Sequence, residues 1–235
     1  MEIRLNKFLS EAGVCSRREA DRLIESGRVT VDGKRAETGM KITDSQVVRV
    51  GKKEIRPKNE MVLLAVNKPV GIVCTEEKKE KNNIINFLKY PTRVTYIGRL
   101  DKDSEGLLLM TNNGDIINKM MRSGNQHEKE YKVTVNKPIT PEFIERMANG
   151  VPILDTVTRK CKVEQIGKYK FRIILTQGLN RQIRRMCKEL GYQVKQLRRI
   201  RIANIELGKL KPREYRRVTD KELETLYSKV RKEEA

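Results

Sequence analysis

The sequence predicts an α+β fold in which a small domain precedes a larger one. With 235 residues, the chain is long enough for one substantial domain and one small one, and it needs no disulfides to build a core. Helical apolar spacing and short alternating runs both occur along it, which favours a mixture of helices and strands. The charged stretch 49–61 contains a proline and almost no core residues. We therefore predict a domain over 1–50, a linker over 51–61 and a second domain over 62–235.

The first domain begins with two short amphipathic helices. Apolar residues at i, i+3, i+4 and i+7 predict a helix within 2–12, and they are Leu5, Phe8, Leu9 and Ala12. Ser16 and Glu19 have the spacing of a capping box and predict a second helix. Arg17 and Arg18 lie in its first turn, where positive charge opposes the helix dipole but where amides and guanidinium groups together suit a phosphate. On charge alone, a solvated basic helix explains this pattern equally well.

A loop followed by a strand is the centre of the second domain. Asp101, Asp103 and Glu105 lie on a short polar loop that leads into the apolar run 106–110, which is too short for anything but a buried strand. A loop fixed to a rigid strand can hold a carboxylate at a defined position, which suits a reactive site. Taken alone, such a loop is more often simply solvated. A calcium loop is excluded because position 12 of an EF-hand would be Asn112 instead of a bidentate Glu.

Short strands and helices fill the rest of the second domain. Apolar or alternating runs predict strands, and 3.6-residue spacing predicts helices. We expect strands at 62–66, 131–135, 158–166 and 169–175, and helices at 138–151 and from the capping box Thr219–Glu222 onward. In the first domain, 29–34 is expected to form a strand and a tight turn. A further helix, beginning at Asp115, is expected to bury Ile116, Ile117, Met120 and Met121.

The region 177–190 predicts an amphipathic helix with one arginine at the edge of its apolar face. The apolar face comprises Ile183, Met186, Cys187 and Leu190, and the opposite face comprises Arg181, Arg185 and Lys188. Arg184 lies about 110° from the centre of the apolar face at 100° per residue. It is therefore the arginine that can follow the core and turn its guanidinium into a pocket.

The charge of the chain predicts a polyanionic partner. The 51 Lys and Arg residues exceed the 31 acidic residues by 20, and half of that excess falls within 177–217. We favour nucleic acid over a membrane, because no amphipathic anchor or long apolar run is apparent. Within 195–201, basic residues alternate with Leu197 and Ile200, which we interpret as a strand with one buried face and one face towards phosphate; Arg198 and Arg199 are candidate contacts.

Cysteine and histidine usage predicts a reduced, cytoplasmic protein. The four cysteines show no paired spacing and the chain has one histidine, so we expect neither a zinc site nor a disulfide framework. The first residues lack the apolar core of a signal peptide. We interpret His127 as a surface or RNA-contact residue.

The first 33 residues resemble the S4 RNA-binding module. The similarity lies in Arg4-Leu-Asn-Lys-Phe-Leu9, Ser16-Arg-Arg-Glu-Ala20 and Leu23-Ile-Glu-Ser-Gly-Arg-Val-Thr-Val-Asp-Gly33. The resemblance implies that this region binds RNA. The candidate contacts are Arg4, Lys7, Arg17, Arg18 and Arg22.

The second domain resembles the pseudouridine synthases, in the branch typified by the bacterial ribosomal enzyme RsuA. The matching segments are Gly98-Arg-Leu-Asp101 with Ser104-Glu-Gly-Leu-Leu-Leu-Met-Thr-Asn112, Lys129-Glu-Tyr131, Gln182-Ile-Arg184, and the opening Asn67-Lys-Pro-Val-Gly-Ile-Val73. The family implies a mixed, mostly antiparallel sheet with flanking helices. It also implies Asp101 as the catalytic residue, Tyr131 stacked on the target base, Arg184 paired with Asp101, and Arg99 filling the space that the base leaves.

The resemblance implies isomerisation of a uridine in 23S ribosomal RNA, in a stem-loop, with a tRNA as a second candidate substrate. Arg181 and Arg185 are further candidate RNA contacts. The isomerisation involves no redox change and no external group, so no cofactor is expected; we expect a monomer that does not bind membranes. A non-enzymatic ribosome-binding or assembly protein explains the charge but not the three motifs in order. An acid-dependent hydrolase would need Asp103 or Glu105 as a second carboxylate.

Overall fold

The computed structural model describes residues 2–56, 60–77, 79–121 and 127–232, with side chains as far as 229. It divides into two compact units. The first comprises the described residues up to 62 together with 90–95 and 111–114, and the second comprises the remainder.

The first unit packs two helices against short strands. Its elements are β1 (Ile3–Arg4), α1 (Leu5–Glu11), α2 (Arg17–Glu25), β2 (Val29–Val31), β3 (Lys34–Arg35), β4 (Lys41–Ile42), β5 (Val48–Val50) and β6 (Lys53–Ile55). Four strands form a sheet in the order β3-β2-β5-β6. Ser16 Oγ accepts a hydrogen bond from the Glu19 amide at 3.2 Å, so the predicted cap of α2 is confirmed. Helix α1 buries its predicted apolar face and α2 buries an apolar face as well, with Leu9 and Ala20 fully inaccessible.

The stretch predicted as a linker contains a strand. β6 pairs antiparallel with β5, with Ile55 opposite Val48. Ile55 packs against the core of the unit, while Lys53 and Glu54 are exposed. Charged side chains are usual on an edge strand, which explains why this strand has the composition of a linker. Residues 57–59 lie outside the described residues, and the domain boundaries remain a prediction.

The second unit is built on a nine-stranded sheet. Its elements are β7 (Leu63–Lys68), α3 (Ile84–Leu88), β8 (Thr95–Ile97), β9 (Glu105–Thr111), α4 (Gly114–Met121), β10 (Lys129–Val135), α5 (Pro141–Asn149), β11 (Pro152–Ile153), β12 (Thr156–Val157), β13 (Lys162–Gly167), β14 (Lys170–Leu175), α6 (Gln182–Glu189), β15 (Val194–Ile202), β16 (Ile205–Glu206), β17 (Tyr215–Arg217) and α7 (Asp220–Lys232). The order is β13-β14-β10-β15-β9-β7-β17, with β16 on β15 and β8 on β9. β10 runs antiparallel to β14 and β15, whereas β15 and β9 run parallel. The predicted α+β fold with a mixed, mostly antiparallel sheet is confirmed.

The apolar run after the acidic loop is a buried strand, as predicted. Leu107 to Met110 of β9 are fully inaccessible to solvent, and β9 lies between β15 and β7 in the sheet.

In α4, Ile116 and Met120 are buried but Met121 is 54 % exposed, so the prediction that Met121 is buried is wrong. Ile116 and Met120 are one turn apart and share a face, whereas Met121 lies 100° further round the helix.

Side-chain hydrogen bonds cap the first turns of α5 and α7. The Thr140 side chain accepts a hydrogen bond from the Phe143 amide at the start of α5. Before α7, the Glu222 amide donates to Thr219 Oγ1 and the Thr219 amide donates to the Glu222 carboxylate, which confirms the predicted capping box.

In the part of the chain that the structure describes, no helix is both long enough and apolar enough to cross a bilayer.

Candidate active site

The loop that carries Asp101 is held at both sides by backbone contacts. Leu100 and Ser104 are buried, and the Ser104 amide donates to the Asp101 carbonyl at 3.1 Å. From the turn after β7, the Gly71 amide donates to the Lys102 carbonyl at 2.7 Å. The Asp101 side chain is 35 % exposed. The carboxylate is therefore fixed in position but remains accessible to a substrate.

Two arginines of the α6 region hold the loop beside Asp101. Arg181 donates to both Asp103 carboxylate oxygens, at 3.0 and 2.8 Å, and its Nη1 lies 3.8 Å from Asp101 Oδ2. Arg184 donates to the Asp103 carbonyl at 2.7 Å and to Ser104 Oγ at 3.2 Å. The hydrogen bonds from Arg181, and then the charge of Arg184, lower the pKa of Asp103.

This arrangement differs from the expected pairing of Arg184 with Asp101. The structure gives Asp101 an ion pair with Arg181, whereas Arg184 contacts the loop two and three residues further on. Arg181 is the residue before α6 and has a left-handed backbone, with φ of 50°. The predicted helical position of Arg184 is nevertheless confirmed, because its side chain is 14 % exposed while Arg181 and Arg185 are exposed.

A cavity of about 760 Å³ opens beside Asp101. Asp101, Tyr131 and Arg181 all line it, together with Arg99 at an exposed position. Tyr131 is half-buried on β10. This volume lies within the range of small-molecule sites and accommodates a single nucleoside. The structure thus brings together Asp101 and Tyr131, which are 30 residues apart in the sequence.

Arg199 is not on a surface that faces phosphate. It is 3 % exposed, lines the cavity, and donates from Nε to the Leu107 carbonyl at 2.7 Å. The interpretation that Leu197 and Ile200 share the buried face is wrong, because alternate residues of a strand share a face. Leu197 and Arg199 are buried, whereas Arg198 and Ile200 are half-buried. Arg199 is therefore part of the cavity wall.

Of the two interpretations of His127, a surface residue or an RNA contact, the first is wrong. His127 is 4 % exposed and lines the cavity. The neighbours of His127 in the sequence are polar or charged, so they gave no sign that this residue is buried.

Most of the other predicted RNA contacts are accessible. In the first unit Arg4, Arg17, Arg18 and Arg22 are exposed, whereas Lys7 is half-buried and lies 3.7 Å from Glu11. In the second unit, Arg185 is exposed and donates to the Asn180 carbonyl, and Arg198 is half-buried. The structure therefore leaves Arg17 and Arg18 of α2 exposed, while Arg22 donates to the Glu19 carboxylate at 3.2 Å.

Lys68 and Asp103 support the loop; the family resemblance implies such a role for the Lys-Pro-Val-Gly turn, but no sequence pattern assigned one to Asp103. Lys68 is fully buried, and its Nζ donates to the carbonyls of Pro69 and Ile72 at 2.9 Å each. These bonds close the Lys-Pro-Val-Gly turn that reaches the Asp101 loop. The sequence does contain a pattern that fits the role of Asp103: it has two carboxylates close together, at 101 and 103, and two arginines close together, at 181 and 184, which face them.

Across residues 2–56, 60–77, 79–121 and 127–232, no group of three or more His, Cys, Asp or Glu side chains could hold a metal ion. The four cysteines are free thiols. Burial raises the pKa of Cys187 to about 12 and that of Cys161 to about 11, so neither is a thiolate at neutral pH.

Comparisons with known proteins agree with this geometry. Residues 62–189 match the family model described as RNA pseudouridylate synthase, and residues 3–48 match the S4 domain. The dual-specificity RNA pseudouridine synthase RluF of Escherichia coli (strain K12) is 55 % identical over 230 residues, which cover 97 % of this chain and 79 % of that protein. The ribosomal large subunit pseudouridine synthase B of Bacillus subtilis (strain 168) is 33 % identical over 232 residues, or 95 % of each chain. A crystal structure of a pseudouridylate synthase is 28 % identical, with a TM-score of 0.70 over 95 % of this chain and 99 % of that one.

Proposed function

The chain belongs to the RNA pseudouridylate synthase family, and from that premise we propose that it isomerises a specific uridine of 23S ribosomal RNA in the cavity beside Asp101. Its activity is that of an RNA pseudouridine synthase, an isomerase. The observation that carries the proposal is the cavity itself, in which an anchored carboxylate and a half-buried tyrosine share one nucleoside-sized space.

Three side chains act on the RNA during the reaction, and two more fix the catalytic loop. The N1–C1′ bond breaks, the base turns, and C5 bonds to C1′; C5 loses a proton and N1 gains one. Because the base is inside a stack beforehand, it must first leave it. Asp101 starts the reaction as nucleophile or base, Tyr131 stacks on the uracil and assists removal of the C5 proton, and Arg99 occupies the space left in the RNA. Arg181 and Arg184 fix the loop that presents Asp101.

The hydrolase alternative loses support from the geometry. It needs a second carboxyl group near Asp101 that can donate a proton. Both Asp103 carboxylate oxygens accept hydrogen bonds from Arg181, which lowers the pKa of Asp103. Glu105 accepts a hydrogen bond from Gln196 at 2.6 Å. Asp103 is therefore a poor proton donor, and Glu105 is not among the residues that line the cavity.

The substrate class follows from the relatives together with the charge. One relative is named for the large ribosomal subunit and another for dual specificity. A charge of +20 suits a large folded RNA. We propose 23S ribosomal RNA as the main substrate and a tRNA as a second, acted on by a cytoplasmic monomer.

The test is tritium release from transcripts labelled with 5-³H-uridine, because removal of the C5 proton liberates the label. We expect release from the 23S transcript, with the 16S transcript as a control of similar charge and a tRNA pool as the second substrate. Release from the 16S transcript alone would contradict the large-subunit assignment. Binding to all three RNAs without release from any would support the non-enzymatic assembly protein instead.

The α2 arginines give a separate prediction about affinity. Arg17→Gln/Arg18→Gln removes two exposed charges from the first turn of a capped helix, so we expect the 23S affinity to fall about tenfold at 0.1 M salt. The slope of log K against log salt should flatten by about 1.5. The turnover rate at saturating RNA should not change.

The matched control is Lys52→Gln/Lys53→Gln, which removes two exposed charges from the β5–β6 hairpin of the same unit. Equal losses of affinity in both double variants would show that α2 provides only general charge, contrary to its assignment as an RNA-contact helix.

A further inference from the structure

We propose that Lys129 and Arg199 form a cationic wall of the cavity that stabilises the negative charge which develops on the uracil during the isomerisation. This inference deepens the proposed function and rests on it. It assigns to two side chains a part of the chemistry that Asp101 and Tyr131 do not supply.

The two side chains are placed around the predicted base position. Lys129 and Tyr131 are alternate residues of β10 and therefore face the same side of the sheet. Arg199 of β15 is the direct cross-strand partner of Tyr131. All three residues line the cavity that Asp101 also lines. A base that stacks on Tyr131 thus lies against both cations.

Both cations have hydrogen-bonding capacity to spare. Arg199 Nε donates to the Leu107 carbonyl, but its buried Nη2 has no hydrogen-bond partner among the described residues. Within the same part of the chain, Lys129 Nζ has no hydrogen bond and no ion pair. Burial lowers the pKa of Lys129, and the charge of Arg199 lowers it further. A buried donor without a partner costs free energy, so its retention at a cavity wall points to a ligand.

Positive charge exceeds negative charge around this cavity wall. Lys68, Lys129 and Arg199 lie close enough that Arg199 lowers the pKa of both lysines. The two carboxylates nearby, Asp101 and Asp103, both pair with Arg181. A local excess of positive charge, fixed before the substrate arrives, is the arrangement that stabilises a developing anion.

The isomerisation supplies that anion by every route open to Asp101. Attack of the carboxylate on C6 sends the C5–C6 electron pair towards O4. Attack on C1′, or removal of the 2′ proton, leaves the N1–C1′ electron pair on the base, where O2 and O4 share it. The charge disappears when C5 bonds to C1′, the C5 proton leaves and N1 is protonated. A guanidinium and an ammonium that donate to O2 or O4 therefore bind the intermediate more strongly than neutral uracil.

The test compares Lys129→Met with Lys132→Met in single-turnover reactions on the 23S transcript. Lys132 lies on the same strand and faces the other side, so it is a control for the loss of one charge. We expect Lys129→Met to lower the rate at saturating RNA by about 100-fold or more, with the RNA Kd changed less than about threefold. Lys129→Arg should restore much of the rate, and Lys132→Met should match the wild type.

A stability measurement separates this role from a structural one. Because burial disfavours charged Lys129, the Met variant should unfold at the same or a higher urea concentration than the wild type. The folded-state pKa lies below the ordinary 10.5, so the cost of burying Lys129 is fully present below that folded-state pKa and is relieved as pH rises towards 10.5. A structural lysine would show the opposite sign, with loss of stability on substitution.

Three results would overturn the proposal. The first is a Lys129→Met reaction as fast as that of Lys132→Met. The second is weaker RNA binding by Lys129→Met with an unchanged rate at saturating RNA, which would make Lys129 a phosphate contact. The third is a loss of both reaction rate and folding stability in Lys129→Met. An inactive wild type would instead contradict the proposed function, so the two failures are distinguishable.

Discussion

Asp101→Asn will abolish turnover on the 23S transcript while RNA binding stays within about threefold of the wild type. Asparagine keeps the size and the hydrogen-bonding oxygen of aspartate but cannot act as a nucleophile or as a base. Removal of the residue that starts a covalent reaction costs roughly 10⁴- to 10⁶-fold in rate. The measurement is tritium release under single-turnover conditions, with RNA binding followed in parallel.

The folded structure should tolerate this change. The loop around Asp101 is fixed by the backbone bonds of Gly71 and Ser104, and the Asp101 ion pair with Arg181 spans 3.8 Å at a partly exposed position. Asp103→Asn is the matched comparison, because it removes the neighbouring carboxylate and weakens the Arg181 clamp. We expect it to lower the rate by about tenfold, since it acts on the position of Asp101 alone. A faster reaction in Asp101→Asn than in Asp103→Asn would show that Asp101 is not the central residue.

Gly106→Ala will destabilise the second unit by at least about 4 kcal/mol. Gly106 has φ of 105° and pairs with Arg199 where β9 and β15 run parallel. A Cβ added there would lie 2.2 Å from the Arg199 carbonyl oxygen and 2.8 Å from its amide nitrogen. Both atoms are backbone in the middle of a sheet, so the strands would have to separate.

Urea denaturation checks this expectation, with Gly208→Ala as the control. Gly208 also has a positive φ, of 56°, but a Cβ added at Gly208 would meet no atom of the described residues within 4 Å. Only backbone strain of about 1 kcal/mol is therefore expected for that variant. Similar losses in the two variants would mean that β9 and β15 can move apart, contrary to the close approach at Gly106.

The sequence predicted those features that depend on near neighbours. The Ser16 cap, the capping box at Thr219 and the helix edge at Arg184 follow from spacings of three or four residues, and each is present. Asp101 was found because a motif of consecutive residues carries it. The site residues that these motifs mark are proposals for function, but their common cavity is a property of the structure.

Features that depend on distant partners could not be predicted in this way. Arg181 meets Asp103 across 78 residues of chain, and a pattern within either segment contains no information about that meeting. Arg199 was placed on a phosphate-facing strand surface because charge alternates with apolar residues within 195–201, whereas its side chain is buried against the Leu107 carbonyl and forms part of the cavity wall. Likewise, the strand β6 was missed because edge strands and linkers are both rich in charge.

The parallel pairing of β9 with β15 has a consequence for how the molecule is made. The Leu107 carbonyl and the Arg199 side chain that it binds are 92 residues apart in the chain. Contacts between such distant segments form slowly, because a long loop must close before they contribute. A nascent chain that has emerged from the ribosome only as far as β10 carries Asp101 and Tyr131 but lacks the strand that completes their cavity. We expect such a chain to be inactive, so that modification of RNA begins only after β15 has been synthesised.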